Sequence, residues 1–385
     1  MKRSESSILT THVGSLPRPE EVVEFYRARL RGEAPPEPDL PAAVAQVVRQ
    51  QHEAGIDIVT DGEYGKEAWW AYADDRLAGL EAREPKGGEA DRPTRERMAF
   101  PGYYAYYESQ AAFALRDDWG RPKGPTRQYY CVGPISYAGH AQVQRDIDNL
   151  KSAMRDSGKE EGFLPAVSPF IARTWNEFYR SEDEFHQATA DALNEEYRAI
   201  VNAGLLVQID DPGLPAQWNS QSAPTLDDYR KRAEQRVELV NYALRGIPED
   251  RVRYHICWGS AHGPHVHDLP LRDVVDLLLK VRAQAYSVEA GNVRHEHEWK
   301  VWKDVKLPDG KILIPGVVSH TTDTVEHPEV VADRIVQYAS VVGRENVIAG
   351  TDCGLGGRVH PEVAWAKLHA LGEGAALASK ELWPK

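Results

Sequence analysis

Short apolar runs alternate along the chain with longer segments in which apolar residues recur at helical spacing. Between residues 40 and 54, Val44, Val47 and Val48 fall on one helical face, and Gly55 follows as a typical helix end. Runs rich in β-branched and aromatic residues predict eight strands, beginning at Ile8, Ile56, Tyr129, Leu205, Val252, Ala283, Ile312 and Val347. Strands that alternate with helices in this way are typical of an α/β fold, here a (β/α)8 or TIM barrel.

The same periodicity predicts helices over residues 20–31, 40–54, 66–80, 181–203, 226–245, 271–282, 328–342 and 361–377. Between residues 81 and 127 the alternation is interrupted by a charged segment that contains Gly87, Gly88 and several prolines. We predict that this segment, 81–127, is a hairpin or lid inserted after the second βα unit. The rest of the chain, within residues 1–385, is expected to form a single TIM-barrel domain.

The composition narrows the choice of compartment and partners. The chain has 385 residues, of which 42% are apolar, and this is enough for a large core. A formal net charge of −13 argues against nucleic acid or an anionic membrane as a partner. No apolar run approaches the ~20 residues that span a bilayer, and the polar N-terminus lacks the apolar centre of a signal peptide. With three cysteines and no disulfide framework, a cytoplasmic location is expected, and a homo-oligomer is compatible with the sequence.

One predicted strand carries an imidazole and a thiol two residues apart. His255 and Cys257 would project to the same side of an extended chain, as two ligands of one metal must. Zinc suits mixed nitrogen and sulfur ligands. Glu289 and Cys353, each at the end of a short apolar run, offer two further ligands. The alternative is a core histidine beside a buried thiol without a metal.

More polar residues are found where other predicted strands end. They are Ser15, Glu63, Asp210 and His320. In TIM barrels, catalytic and binding groups collect at the carboxyl ends of the strands. We therefore expect these side chains to lie around the candidate metal ligands.

The order His255-x-Cys257, then Glu289, then Asp352-Cys353-Gly354, resembles the zinc site of cobalamin-independent methionine synthase, in the C-terminal catalytic barrel of that enzyme. This family belongs to the UROD/MetE-like superfamily. Three further segments resemble family motifs: residues 10–15, 61–63 and 208–212. The resemblance runs from about residue 8 to residue 378 and implies a zinc-dependent thiol alkyltransferase on one barrel.

The resemblance also implies roles for individual residues. Zinc would bind the thiol of an acceptor and keep it deprotonated. Glu63 and Asp210 would hold the ammonium group of homocysteine, and Gly14 and Ser15 would meet its carboxylate. His320 would be the proton donor to the leaving group. The partners implied are a small-molecule thiol and an alkyl donor.

The sequence departs from the family where the family binds its methyl donor. Tyr137 stands where the family has a tryptophan packed on the pterin, and Gly213-Leu214 replace a basic-acidic pair near the folate. These changes favour methyl transfer to homocysteine, or a similar small thiol, from a donor simpler than folate polyglutamate. One alternative is epoxide ring opening by a zinc-bound thiol such as coenzyme M. Another is a non-catalytic protein that binds zinc or a small molecule.

Overall fold

The computed structural model describes residues 1–83, 94–109, 128–171, 174–219, 224–259 and 263–384. Its strands are β1 Leu9–Thr10, β2 Leu77–Arg83, β3 Gln128–Tyr137, β4 Phe163–Val167, β5 Thr174–Asn176, β6 Leu206–Asp210, β7 Val252–His255, β8 Ala285–Glu289, β9 Ile312–Val318 and β10 Ile348–Thr351. Its α-helices are α1 Glu20–Leu30, α2 Leu40–Glu53, α3 Tyr72–Arg76, α4 Arg95–Ala99, α5 Pro101–Ser109, α6 His140–Asp156, α7 Glu182–Asn202, α8 Gly213–Ala216, α9 Leu226–Ala243, α10 Val275–Leu278, α11 Pro328–Val342 and α12 Pro361–Leu382.

Seven strands form one curled parallel sheet in the order β1-β10-β9-β8-β7-β6-β4. The predicted second strand, residues 56–60, lies between the two edges of this sheet. The Ile58 N–H donates to Thr10 O (3.1 Å) on one edge, and the Phe163 N–H donates to Val59 O (2.9 Å) on the other. The arrangement confirms an α/β fold and is consistent with a TIM-like barrel.

The interior of the curled sheet is filled by apolar side chains from most of its strands. This buried cluster consists of Ile58, Phe163, Leu206, Ala285, Ile312, Ile314 and Ile348. A larger cluster packs the outer face of the sheet against the helices. Because both faces are covered, β6, β7 and β8 are buried at every position, including the polar ones, rather than alternating between buried and exposed residues.

The prediction of the third barrel strand was wrong. The strand that begins near Tyr129, β3, lies in a separate three-stranded sheet, where it pairs antiparallel with β2 and parallel with β5. Its place in the parallel sheet is taken by β4, which pairs with β6. Both segments are rich in apolar residues, so hydrophobic pattern alone does not tell which sheet a strand joins.

Two predicted helices are also partly wrong. Of the predicted helix over residues 66–80, only α3 is helical, and Leu77 already begins β2. The predicted helix over 271–282 is broken into a 3₁₀ turn at Leu271–Asp273 and the single turn α10. The remaining predicted helices agree with the structure to within a few residues, and Ser181 caps α7 by accepting a hydrogen bond from the Glu184 N–H (3.1 Å).

Much of the predicted insertion, residues 84–93 and 110–127, lies outside the described residues. The described parts are the antiparallel strands β2 and β3 on either side and the helices α4 and α5 between them. Within the described residues, no helix combines the length and the apolar character needed to cross a membrane.

Candidate metal centre and adjoining cavities

Three of the four predicted metal ligands meet at the carboxyl edge of the parallel sheet. His255 ends β7, Cys257 follows two residues later, and Cys353 follows β10. One donor atom from each lies within 4.8 Å of the other two. This proximity is what a metal ion bound by one nitrogen and two sulfur atoms requires.

The two ring nitrogens of His255 have different surroundings. Nδ1 lies 3.1 Å from Ser287 Oγ, which fixes the orientation of the ring. Nε2 is buried and has no hydrogen-bond partner in the described part of the chain. A buried nitrogen without a partner is costly, and a metal ion would satisfy it. The donor set of one imidazole and two thiols therefore fits zinc.

The two thiols of the cluster shift each other's pKa in opposite directions. A hydrogen bond from the Cys257 thiol lowers the pKa of Cys353 well below its usual value. The same hydrogen bond, together with burial, raises the pKa of Cys257. Such close thiol groups are suited to binding a cation as thiolates.

Glu289, the fourth predicted ligand, is not among these three clustered residues. Its carboxylate instead accepts hydrogen bonds from the Trp258 N–H (2.9 Å) and from Asn292 Nδ2 (2.8 Å). Asn292 also donates to Asp352 Oδ2 (3.0 Å), the residue before Cys353. Burial raises the pKa of Glu289 to about 8. Asn292 and Asp352 thus fix the position of this carboxylate beside the cluster.

A small cavity of about 60 Å³, which we call the thiol-side cavity, opens onto the three clustered ligands. Its other lining residues include three of the four predicted strand-end residues, Ser15, Glu63 and Asp210. The full set of these other lining residues is Val13, Ser15, Glu63, Trp69, Asp210, Pro212, Gly354, Gly356 and Arg358. The structure therefore brings Ser15, Glu63 and Asp210 together with the candidate metal ligands.

Two buried carboxylates dominate the charge of the thiol-side cavity. Burial raises the pKa of Glu63 to about 8, and it raises that of Asp210 to about 6. Neither carboxylate forms an ion pair within the described residues, although the charges of Lys66 and His255 oppose these rises. The Lys66 ammonium donates to Pro165 O rather than to Glu63. A cationic ligand would relieve both carboxylates.

Glycine is required at position 14 because the Glu63 carboxylate lies very close to its Cα. Gly14 has φ of 149°, and a Cβ atom placed there would lie 2.6 Å from Glu63 Oε1 and 2.7 Å from Pro165 Cγ. Any larger residue would displace Glu63. Gly14 therefore adjoins the thiol-side cavity through Glu63, although its own atoms do not line that cavity.

A second cavity of about 200 Å³, which we call the loop-side cavity, is formed by the loops that follow β7, β8, β9 and β10. Its lining includes Glu289 and His320, so these two predicted site residues lie apart from the thiol-side set. His320 is 3% exposed, and neither ring nitrogen has a hydrogen-bond partner in the described residues. Burial lowers the pKa of His320 to about 4.

A buried ionic cluster forms one wall of the loop-side cavity. His295 lies 3.2 Å from Asp268 Oδ2 through Nε2 and 2.9 Å from Glu298 Oε2 through Nδ1. Burial alone would lower the pKa of His295, but these two carboxylates outweigh it and raise the pKa to about 10. The ring of His295 stacks on Trp258 at a centroid distance of 4.1 Å, and Trp258 follows the candidate ligand Cys257.

Sequence reasoning missed several residues that shape the site. Lys66 and Trp69 fall in a stretch that was predicted to be an ordinary helix, and Asn292 has no motif of its own. Two further histidines, His265 and His295, line the loop-side cavity. Only the Asp352-Cys353-Gly354 motif signalled the part that Asp352 plays in positioning.

Known proteins resemble this chain over most of its length. A family model described as the catalytic domain of cobalamin-independent synthase matches residues 163–376. Methionine synthases from Thermococcus kodakarensis and Saccharolobus solfataricus are 24% and 26% identical over 382 residues, covering 97% of this chain and 94% and 95% of the relatives.

Solved structures show the same fold. A B12-independent methionine synthase from Shewanella sp. W3-18-1 aligns with a TM-score of 0.70 at 21% identity, over 98% of this chain and 99% of that chain. A putative vitamin-B12-independent methionine synthase from Listeria monocytogenes aligns with a TM-score of 0.64 at 17% identity, over 98% and 99% of the two chains. Since the family model covers more than half of the sequence, the chain belongs to the cobalamin-independent methionine synthase family.

Proposed function

We propose that this protein is a zinc-dependent methyltransferase that methylates homocysteine or a similar small thiol. The observation that carries the proposal is the cluster of His255, Cys257 and Cys353 donor atoms within 4.8 Å, opening onto a cavity with two buried carboxylates. The names of the methionine synthase relatives, which align over almost the whole chain, support the same reaction.

Zinc is the metal that we propose for the three clustered donors, with Glu289 as fourth ligand. When bound, it would supply Lewis acidity that keeps an acceptor thiol deprotonated at neutral pH. His255 would offer Nε2 to the metal, while Ser287 fixes the ring through its contact with Nδ1. Trp258 and Asn292 hold the Glu289 carboxylate beside the cluster, where it would be the one hard oxygen ligand among the four.

The thiol-side cavity has the chemistry of an amino-acid site. Glu63 and Asp210 offer two acceptors for an ammonium group, and that positive charge would hold both carboxylates ionised. Ser15 lines the same cavity, and we propose that it meets the carboxylate of the amino acid together with the adjacent backbone at Gly14. The thiol would then point to Cys257 and Cys353. A sulfonate thiol such as coenzyme M lacks the ammonium group that this cavity favours.

His320 is proposed to act on the leaving group. It lies in the loop-side cavity beside Glu289, buried and with both ring nitrogens unpartnered. The surroundings favour the neutral ring, so its role is to donate a hydrogen bond from one ring N–H to the departing atom. For the fold, we propose a complete (β/α)8 barrel in a single domain, in which residues 56–60 close the sheet and residues 81–127 form an inserted lid.

Alkylation of homocysteine by methyl iodide tests this function without knowledge of the natural donor. We expect the zinc-loaded protein to form methionine faster than the free thiol does at pH 7, because the bound thiol is a thiolate. The Cys257→Ser variant should lose zinc and this acceleration. Cys131→Ser, which removes a buried thiol distant from the cluster, is the matched control and should keep both. Full activity with bound zinc in Cys257→Ser would refute the ligand assignment.

A further inference from the structure

The two cavities that adjoin the candidate metal ligands differ in charge and size. The thiol-side cavity is about 60 Å³ and carries Glu63 and Asp210. The loop-side cavity is about 200 Å³ and carries Arg294 and His320. One cavity touches the clustered thiols, and the other touches Glu289. Two substrates of opposite charge could therefore approach the same centre from different sides.

Arg294 and His320 both have hydrogen-bonding capacity that the described protein does not use. Arg294 donates to Val266 O (2.9 Å), and no carboxylate of the described residues lies within ion-pair distance of it. His320 is buried with two unpartnered ring nitrogens. Since a buried polar group without a partner is unfavourable, a ligand or water is expected at His320.

The carboxylates that line the loop-side cavity are already engaged. Asp268 accepts from His265 (2.9 Å) and His295 (3.2 Å), and Glu289 accepts from Trp258 and Asn292. Arg358 lines both cavities and does not distinguish them. Arg294 lines the loop-side cavity alone, and its positive charge would attract an anion.

Each cavity contains one non-glycine residue with an unusual backbone conformation. Among the described non-glycine residues, two have positive φ: Glu63 at 63° in the thiol-side cavity and His265 at 55° in the loop-side cavity. Such conformations cost energy and tend to persist at ligand sites, where the surrounding structure holds them. The loop-side cavity thus shares with the thiol-side cavity a feature typical of a binding site.

We propose that the loop-side cavity binds the second substrate, a compact alkyl donor that carries an oxyanion, with the oxyanion at Arg294 and the leaving atom at His320. This inference rests on the proposed function. A volume of about 200 Å³ holds only a small molecule, since pockets for drug-sized ligands are roughly 300–1,000 Å³. The transfer is balanced: a sulfur–carbon bond forms, the bond from carbon to the leaving atom breaks, and the leaving atom keeps the electron pair. That atom takes up one proton, which balances the proton lost by the acceptor thiol.

Fluorine-19 NMR with trifluoroacetate as the oxyanion probe tests the site. We expect saturable broadening of the trifluoroacetate signal with the wild-type protein, no broadening of neutral trifluoroethanol, and at least a tenfold loss of affinity in Arg294→Gln. Arg294 is exposed, so its replacement should leave the fold intact, as a thermal melt would verify. Glu63→Gln, the matched control in the other cavity, should keep the affinity for trifluoroacetate. Inorganic phosphate as a competitor then shows whether the site prefers a phosphate to a carboxylate.

Three results would overturn the proposal: no binding to the wild-type protein, equal affinity in Arg294→Gln, or competitive displacement of trifluoroacetate by homocysteine. The last would mean that the cavities form one site. The probe does not react, so its binding is independent of methyl transfer. If methyl iodide alkylation fails while Arg294-dependent binding persists, the proposed function fails and the oxyanion site stands.

Discussion

Glu63 combines a left-handed backbone, full burial and a pKa raised to about 8. In the unfolded chain its pKa is near the ordinary value of 4.5. Below that pH the group is protonated in both states, and above it the unfolded chain ionises first. Stability should therefore fall as pH rises from 4.5 towards 8, by an amount on the order of 3 kcal/mol at pH 7. Glu63→Gln removes this loss. The melting temperature of the variant should therefore rise relative to that of the wild type as the pH is raised from 5 to 8. A constant difference across that range would contradict the buried, protonated Glu63.

The same substitution should weaken binding of an amino-acid thiol. If the ammonium of homocysteine pairs with Glu63 in the buried cavity, Glu63→Gln should cost ~2–5 kcal/mol of binding free energy. Isothermal titration of the zinc-loaded protein would measure this loss. 3-Mercaptopropionate, which lacks the ammonium group, serves as the control ligand, and its affinity should not fall. An unchanged affinity for homocysteine would place the ammonium elsewhere.

At the scale of single residues, the sequence predicted which residues lie at the candidate site better than how their side chains are oriented. His255, Cys257 and Cys353 could be predicted to meet, because each lies where a parallel strand ends. Glu289 was grouped with them, but its orientation depends on hydrogen bonds from Trp258 and Asn292 that no sequence pattern shows. Such contacts depend on side-chain packing across several loops.

At the scale of elements, an internal ionic network joins the three-stranded sheet to the parallel sheet and its helices. Arg76, just before β2, pairs with Asp146 of α6 and with Glu196 of α7 (3.4 Å). Glu196 also accepts hydrogen bonds from Tyr72 (2.9 Å) and Tyr137 (2.6 Å). Together these contacts fix the start of β2 and the end of β3, the strands that flank the proposed lid.

Removing one of the two negative charges that surround Arg76 should destabilise the protein. Glu196→Gln leaves Arg76 buried with one carboxylate instead of two, and we expect a loss of about 3–5 kcal/mol in the free energy of unfolding. The matched control is Glu195→Gln, whose side chain is 54% exposed and pairs with His140, and it should change stability by less than about 1 kcal/mol. Urea denaturation followed by circular dichroism would compare the two variants. Equal losses would mean that burial of the network contributes little.

The strands show which parts of the fold could be predicted from the sequence and which could not. The strand Ile312–Val318 was predicted with the bounds that the structure has, because it is a continuous apolar run between turn residues. The β4 strand was missed: it has five residues with proline at its centre, whereas β3 is a longer aromatic run. Pro165 is tolerated because β4 stands at the end of the seven-stranded order, where a missing N–H disturbs the ladder least.

At the scale of the whole molecule, the parallel sheet places all of the candidate chemistry at one edge. Asp210 and His255 are register partners on β6 and β7, and Glu289 ends the next strand, β8. Cys353 comes from β10, beyond β9 in the sheet. The carboxyl ends of these strands thus surround a common centre with one cavity on each side. A rigid sheet can hold ligands from distant parts of the sequence at fixed distances.

Zinc K-edge absorption with and without homocysteine tests the central claim, that the His255, Cys257 and Cys353 centre binds an acceptor thiol through zinc. We predict one zinc per chain with two sulfur neighbours from these cysteines, and a third sulfur neighbour when homocysteine is added. Coenzyme M should leave the spectrum unchanged because it lacks the ammonium group. The account would be contradicted by a protein that binds no zinc, by a sulfur coordination that homocysteine does not alter, or by a third sulfur that appears with coenzyme M alone.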